Sequence, residues 1–215
     1  MRIAFFIFAI IILAGVSVLL LQPRALLAVT ALPREKGEML MDHKPDGYPI
    51  AVLAGGCFWC TESEYRGLDG VLYTRVGYTG GHVDNPKYED THDSKSGHAE
   101  AVEVTYDPKI ISYRDLITFF LTKAHDPTQL NRQGADVGTQ YRSAIFYTTP
   151  EEKQIAQEVI DEVNTSHVYK APIVTTLEPS ATFWEAEGYH QQYFEKYEEK
   201  YGQPHINDWL HRQKK

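Results

Sequence analysis

Both cysteines of this 215-residue chain fall within one string, Gly56-Cys57-Phe58-Trp59-Cys60. Two thiols three positions apart, with two large aromatic rings between them, point to redox chemistry beside an apolar pocket. The run Ile50 to Ala54 predicts a buried strand, Gly55 and Gly56 break it, and the residues beyond predict a helix. Cys57 then stands at the helix start, where unpaired amide N–H groups and the helix dipole favour an anion by roughly 0.3–2 kcal/mol. A free thiol, with a pKa of about 8.5, is weakly ionised at neutral pH, so this position predicts a raised thiolate fraction and makes Cys57 the candidate nucleophile. Cys60 lies one turn further on the same side, within reach of an oxidised Cys57 for closing a disulfide. Two alternatives stand beside this reading. The thiols could be small buried hydrophobes, or they could hold zinc, although a structural zinc site wants four N or S ligands and there is no second Cys pair.

Glu100 is the candidate acid. It falls in a stretch that predicts a strand, His98 to Tyr106, and residues two apart on a strand share a face, so Glu100 points with Val102 and Val104. An ionisable group on an apolar face is costly unless paired or neutral. A carboxyl held protonated there is a proton donor, whereas a strand-end Glu100 would instead reach water or an arginine. Donating near pH 7 asks for a shift of roughly 2–3 units, which desolvation and a neighbouring thiolate would both favour.

These residues need a scaffold. Beyond the cysteine helix, which should end near Gly67 or Gly70, Val71 to Tyr78 predicts a strand and Gly80 to Pro86 a long loop. Ser112 is an expected N-cap with Asp115 at the capping-box position, for a helix carrying Leu116, Phe119 and Phe120. His125 to Arg142 is polar and glycine-bearing, a loop long enough to be functional. Ser143 to Tyr147 predicts a strand, and Thr149-Pro150-Glu151-Glu152 starts a helix with the apolar stripe Ile155, Val159, Ile160 and Val163. Ile173 to Leu177 predicts a further strand, and Phe183 to Tyr201 an aromatic helical stretch containing His190. The expected class is α/β (α+β), a two-layer sandwich with a mixed central sheet and flanking helices around a ferredoxin-like core.

The organisation expected is an N-terminal segment over residues 1–22, a linker over 23–47 and a catalytic domain over 48–215. Ile3 to Leu21 approaches the roughly 20 apolar residues that span a bilayer, which predicts a membrane anchor, with a signal segment cleaved after Val29-Thr30-Ala31 as the alternative. Either way the catalytic domain would lie outside the cytoplasm, anchored or exported. A net charge of −8 argues against nucleic acid as a partner. No metal and no bound cofactor are indicated.

Several strings occur together, in order. They are Cys57-Phe58-Trp59 after two glycines, Gly77-Tyr78-Thr79-Gly80-Gly81, Asn85-Pro86-Lys87-Tyr88, Gly97 to Val102, Gly138 to Ser143, and His190-Gln191-Gln192-Tyr193. Together they resemble the peptide methionine sulfoxide reductase A family over nearly all of the domain from about Pro49 to Tyr193. The resemblance implies reduction of methionine (S)-sulfoxide, free or in oxidised proteins. It implies Cys57 as nucleophile, Glu100 as acid, Tyr88, Asp136 and Tyr141 as the polar surround of the substrate, and Phe58 and Trp59 as the pocket for its methyl group. On residue type alone, Asp136 could merely cap a turn, the tyrosines could be packed aromatics, and His190 could be a satisfied core histidine. Many relatives resolve the oxidised nucleophile with cysteines in a glycine-rich carboxy-terminal tail, whereas Glu198 to Lys215 holds none. Cys60 is then the expected resolving thiol, and an external dithiol such as thioredoxin the expected reductant. Two other functions fit a C-x-x-C beside aromatics: a thioredoxin-like thiol–disulfide oxidoreductase, and a membrane-tethered module binding methionine-rich segments.

Overall fold

A computed structural model describes residues 32–34 and 40–205. The strands are β1 (Ile50–Gly55), β2 (Val71–Thr79), β3 (Ala99–Tyr106), β4 (Arg132–Gln133), β5 (Asp136–Val137), β6 (Ser143–Tyr147), β7 (Thr176–Pro179) and β8 (Trp184–Glu185). The α-helices are α1 (Phe58–Arg66), α2 (Tyr88–His92), α3 (Tyr113–Phe119), α4 (Pro150–Ser166) and α5 (Tyr193–Tyr201). Six strands form one sheet in the order β7-β6-β1-β3-β2-β8. Within it, β1-α1-β2-β3-α3-β6 with spatial order β6-β1-β3-β2 is a ferredoxin-like arrangement, antiparallel at each of its three junctions. β7 joins parallel to β6, and β8 antiparallel to β2. The expected mixed sheet with flanking helices is therefore the fold.

Alternation along the strands sorts the two faces. Leu53 of β1 and Val102 and Val104 of β3 join Phe58, Tyr65, Leu116, Phe120, Ile145 and Val159 in the main core, which lies between the sheet and the helices. Their strand neighbours Ala54, Ala99 and Ala101 belong instead to a smaller cluster with Ala144 and Phe146, packed by Val52 and Phe183. Small residues suit that second face because chain lies close against it. A Cβ on Gly77 would stand 2.3 Å from the Trp184 carbonyl oxygen and 2.5 Å from the Phe183 ring.

Two helix starts are those the sequence predicts. Ser112 and Asp115 form a capping box on α3, and Thr149 and Glu152 form one on α4 with Pro150 in the first turn. On α4, Val159, Ile160 and Val163 of the expected stripe are buried, together with Ala156, while Ile155 packs at its edge.

Four expectations change. The aromatic stretch from Phe183 is not helical throughout: Trp184 and Glu185 pair with Tyr78 and Gly77 as a short edge strand, a turn follows, and α5 begins at Tyr193. The strand expected over Ile173 to Leu177 runs instead from Thr176 to Pro179, as β7. The polar loop from His125 to Arg142 contains the β4–β5 hairpin and a 3₁₀ turn, Thr139–Tyr141. The membrane-anchored or exported placement is withdrawn. The apolar segment over residues 1–22 that suggested it lies outside the described residues, and among those described no helix is long and apolar enough to cross a membrane.

Described parts of the expected linker lie against the domain. Pro33 forms a β-bridge with Leu68, the Arg34 N–H donates to the Gly67 carbonyl at 2.8 Å, and Leu40 packs on the main core.

Candidate active site

The β1–α1 turn places the thiols. Gly56 has φ +90°, a region side chains rarely adopt, and a Cβ there would stand 2.4 Å from Cβ of Gln133, so the turn admits glycine and the β4–β5 hairpin closes directly over it. Cys57 is the N-cap residue of α1, and its carbonyl accepts from the amides of Cys60 and Thr61, each at 3.2 Å. Beneath the turn, buried His125 packs on Phe120 and bonds the Phe120 carbonyl at 2.9 Å and Ser143 Oγ at 2.7 Å. Burial pulls this imidazole down to about 4, so it is neutral at physiological pH and serves as a prop.

Glu100 faces the same turn. Its strand partner is Tyr78, its side chain points into the helix layer with Val102 and Val104, and it is 3 % exposed. Its Oε2 accepts from the Phe58 amide at 3.1 Å, so the carboxyl docks on a free N–H at the start of α1, one residue from Cys57. Burial, and then the neighbouring Cys57, push this carboxyl well above the usual carboxylate range, with Asp136 adding to them and the Phe58 amide opposing. The pleat expectation of a protonated acid agrees with this direction.

The thiol departs from expectation. Cys57 is pushed well above the ordinary thiol value by a hydrogen bond with the Cys60 side chain, then by burial and the Cys60 charge. The amides of Cys60 and Trp59 pull the other way and are outweighed. Cys57 at rest is therefore a thiol, and the raised thiolate fraction predicted from the helix dipole is corrected. Desolvation and a second sulfur one turn away exceed what two amides supply.

Around these groups stand Tyr88 at the first position of α2, Tyr141 at the end of the 3₁₀ turn, and Asp136 on the hairpin. Burial raises the Tyr88 hydroxyl to about 12, helped by the charges of Glu100, Cys57, Tyr189 and Asp136. Tyr141 rises for the same leading reason, and Glu100, Tyr88, Asp136 and Cys57 act on it as well. Burial also raises Asp136. The fold thus brings Cys57, Glu100, Tyr88, Asp136 and Tyr141 into one electrostatic neighbourhood, with both hydroxyls protonated and able to donate.

The aromatic side of the site is built by α1 and the C-terminal segment. Phe58 is buried, with its ring 5.9 Å from Tyr78 and 5.0 Å from His190. Half-buried Trp59 stacks on Tyr193 at 3.8 Å and 7°. The Trp59 indole N–H donates to His190 Nδ1 at 3.1 Å, which requires the ring nitrogen to be unprotonated, and burial lowers the His190 pKa accordingly. His190 is thus not the satisfied core histidine that residue type allowed: its Nδ1 holds Trp59, while its buried Nε2 has no hydrogen-bond partner among the described residues. Glu187, three residues earlier, was not among the residues singled out from the sequence. It accepts from the Tyr88 amide at 3.2 Å and from the Tyr78 hydroxyl at 3.1 Å, and its nearness to the His190-Gln191-Gln192-Tyr193 string was the available signal. Among the described residues there is no cluster of side chains suited to a metal ion.

The chain matches the family model described as peptide methionine sulfoxide reductase over residues 49–215. It is 56 % identical over 144 residues to peptide methionine sulfoxide reductase MsrA of Deinococcus radiodurans, covering 67 % of this chain and 69 % of that protein. To the MsrA of Geobacter metallireducens it is 49 % identical over 156 residues, 73 % of this chain and 95 % of the relative. Among solved structures, reduced Mxr1 of Saccharomyces cerevisiae superposes with a TM-score of 0.67 at 33 % identity, covering 76 % of this chain and 91 % of the other. Methionine sulfoxide reductase A of Corynebacterium diphtheriae gives 0.61 at 35 %, covering 71 % and 76 %.

Proposed function

The chain belongs to the peptide methionine sulfoxide reductase A family and is an oxidoreductase of methionine sulfoxide, and from that premise we propose that Cys57, Glu100 and Cys60 carry the reaction on the (S)-epimer. The observation that carries this reading is the docking of a buried, proton-holding Glu100 on the amide next to Cys57. The methyl group of the substrate lies against Phe58 and Trp59, and its oxygen faces Glu100 and the Tyr88 and Tyr141 hydroxyls, with Asp136 at the rim.

Cys57 sulfur attacks the sulfoxide sulfur while Glu100 gives its proton to the sulfoxide oxygen, and the two tyrosines donate hydrogen bonds as that oxygen gains charge. The thiol proton of Cys57 passes to the ionised Glu100. The acid is thereby restored, one proton in for one out. The oxygen then passes from the substrate sulfur to Cys57: the Cys57 sulfur–oxygen bond forms as the substrate sulfur–oxygen bond and the bond between the two sulfurs break, which leaves a sulfenic acid on Cys57 and releases methionine reduced by two electrons. Cys60 then attacks the sulfenic acid, a disulfide forms and water leaves. A dithiol of the thioredoxin class reduces the disulfide by exchange. Free methionine sulfoxide and oxidised proteins are the substrates, and neither metal nor bound cofactor is needed.

Family membership sets aside the thioredoxin-like exchanger and the binding module. The test is single-turnover chemistry followed by thiol trapping. Methionine (S)-sulfoxide alone should generate a Cys57–Cys60 disulfide, and the (R)-epimer should not. Glu100→Gln keeps an acceptor for the Phe58 amide but has no acidic proton, so single turnover should slow by roughly 10²–10⁴. Cys60→Ser should release one methionine per chain and lose dithiol-supported recycling. Disulfide formation in the absence of sulfoxide, or full-speed turnover by Glu100→Gln, would contradict the assignment.

A further inference from the structure

The proposed reaction asks Tyr88 to aim its hydroxyl at the substrate oxygen, yet Tyr88 opens a helix of five residues, Tyr88–His92. So short a helix has few bonds of its own, among them the Asp90 carboxylate accepting from the Lys87 amide and the Thr91 hydroxyl donating to the Tyr88 carbonyl, each at 2.8 Å. The Tyr88 amide is one of the helix-start N–H groups that no residue of the helix can satisfy. Its partner comes from 99 positions along the chain, Glu187 Oε1 at 3.2 Å. The other carboxylate oxygen accepts from the Tyr78 hydroxyl at 3.1 Å, and Tyr78 is the residue paired with Glu100 across β2 and β3. One carboxylate therefore spans from the helix that carries the oxygen-binding hydroxyl to the strand beside the acid.

The same turn reaches Tyr88 a second time. The Glu187 carbonyl accepts from the His190 amide at 2.8 Å, and the His190 ring lies 4.7 Å from the Tyr88 ring while accepting from Trp59. His190 Nε2 stands 3.8 Å from Glu187 Oε2, beyond hydrogen-bond range, so the two amide and hydroxyl donors are the carboxylate's close partners. Burial pushes the Glu187 carboxyl upward, but its own amide, the Tyr88 amide, the Tyr78 hydroxyl and the nearby His190 hold it below the ordinary value, so it is the charged acceptor that the Tyr88 and Tyr78 donors meet.

From this geometry we propose that Glu187 is a positioning residue of the reductase, setting the Tyr88 hydroxyl relative to Glu100 without touching substrate. The proposal rests on the role given to Tyr88 above. It separates the residue's work from general stability, because its effect on rate must pass through one hydroxyl.

The experiment is a double-mutant cycle on the full chain, reading the single-turnover rate of methionine formation at saturating (S)-sulfoxide together with the KM. Glu187→Ala should slow the chemical step by about tenfold with a smaller change in KM, and in a Tyr88→Phe background it should cost no more than about twofold. Glu187→Gln, which retains an acceptor for the Tyr88 amide and a group to meet the Tyr78 hydroxyl, should rescue most of the rate. Glu187→Asp, one methylene shorter, should slow the enzyme in the wild-type background only, and it carries the test if Glu187→Ala does not fold. An unchanged rate in folded Glu187→Ala or Glu187→Asp, or the same loss with and without the Tyr88 hydroxyl, overturns the positioning role. Tyr88→Phe turning over at full speed removes the Tyr88 assignment first, and this proposal with it.

Discussion

At the scale of single residues, Cys57 sits among amides that favour an anion and yet holds its proton above the ordinary range. The largest reason is its hydrogen bond to the Cys60 side chain, with burial next. In the proposed reaction, the thiol assigned to resolve Cys57 is thus also the leading cause of its raised pKa. Iodoacetamide labelling of Cys57 should have its pH midpoint above about 8.5 in the wild type. Cys60→Ala should move that midpoint down, since it removes the leading cause of the shift and leaves the Trp59 amide in place, and labelling near pH 8 should become faster. A midpoint unmoved or moved upward would show that burial alone sets it. The placement of Cys57 at a helix start and of Glu100 on the buried face of a strand was legible from residue type and from two local signals, the glycine break before a helix and the pleat of β3. The protonation state of Cys57 was not, because it depends on burial and on which way the Cys60 side chain turns, and neither is written in spacing.

At the scale of elements, the join between α1 and the C-terminal segment hangs on Glu62, which is 1 % exposed. One oxygen accepts from Thr74 Oγ1 at 2.9 Å and the other from the Gln192 amide at 2.8 Å, while Arg66 one turn on pairs with Glu195 of α5 at 2.6 Å. Burial pushes Glu62 from 4.5 to about 7, against the pull of Arg66, Thr74 and the Gln192 amide. A carboxyl whose pKa is raised by folding adds stability that is fully present below its unfolded value and is lost as pH rises through its folded one. Stability should therefore decline between about pH 4.5 and pH 7 by an amount on the order of 3 kcal/mol attributable to this group. Denaturant unfolding of wild type and Glu62→Gln at pH 5 and pH 8 isolates that share, and parallel profiles would refute it. The elements were unequally legible. Capping boxes announce α3 and α4 locally, whereas the helix expected from Phe183 fails because Trp184 and Glu185 find strand partners in Tyr78 and Gly77, a choice made by tertiary contact rather than by local preference.

At the scale of the whole molecule, the site is completed by chain that is distant in sequence. α1 supplies the thiols and Trp59, β3 the acid, the loop after β5 Tyr141, and the segment from Trp184 to Tyr193 the wall that holds Trp59 and Tyr88. That dependence was hidden in the sequence because His190-Gln191-Gln192-Tyr193 looks like ordinary polar and aromatic helix surface until its partners 100 or more positions away are known. Gln191 fastens this wall to the sheet. Its Oε1 accepts from the Val76 amide at 2.8 Å, and its Nε2 donates to the carbonyls of Val76 and Ala186, each at 2.9 Å. The Val76 carbonyl keeps a second donor in the Ala186 amide, so Gln191→Leu strands two groups, the Val76 N–H and the Ala186 C=O. Two buried unpaired backbone groups cost about 2–6 kcal/mol. Ile160→Ala, in the stripe of α4 that packs with α3, β6 and β7, should cost a similar ~2–5 kcal/mol by leaving a cavity. The two variants should nevertheless differ in activity. Measured well below both melting temperatures, Ile160→Ala should turn over (S)-sulfoxide at close to the wild-type rate, while Gln191→Leu should lose rate and raise the KM, because Glu187, His190 and Tyr193 all hang from the segment it loosens. Equal activity in the two folded variants would mean that the C-terminal segment serves the fold and not the pocket.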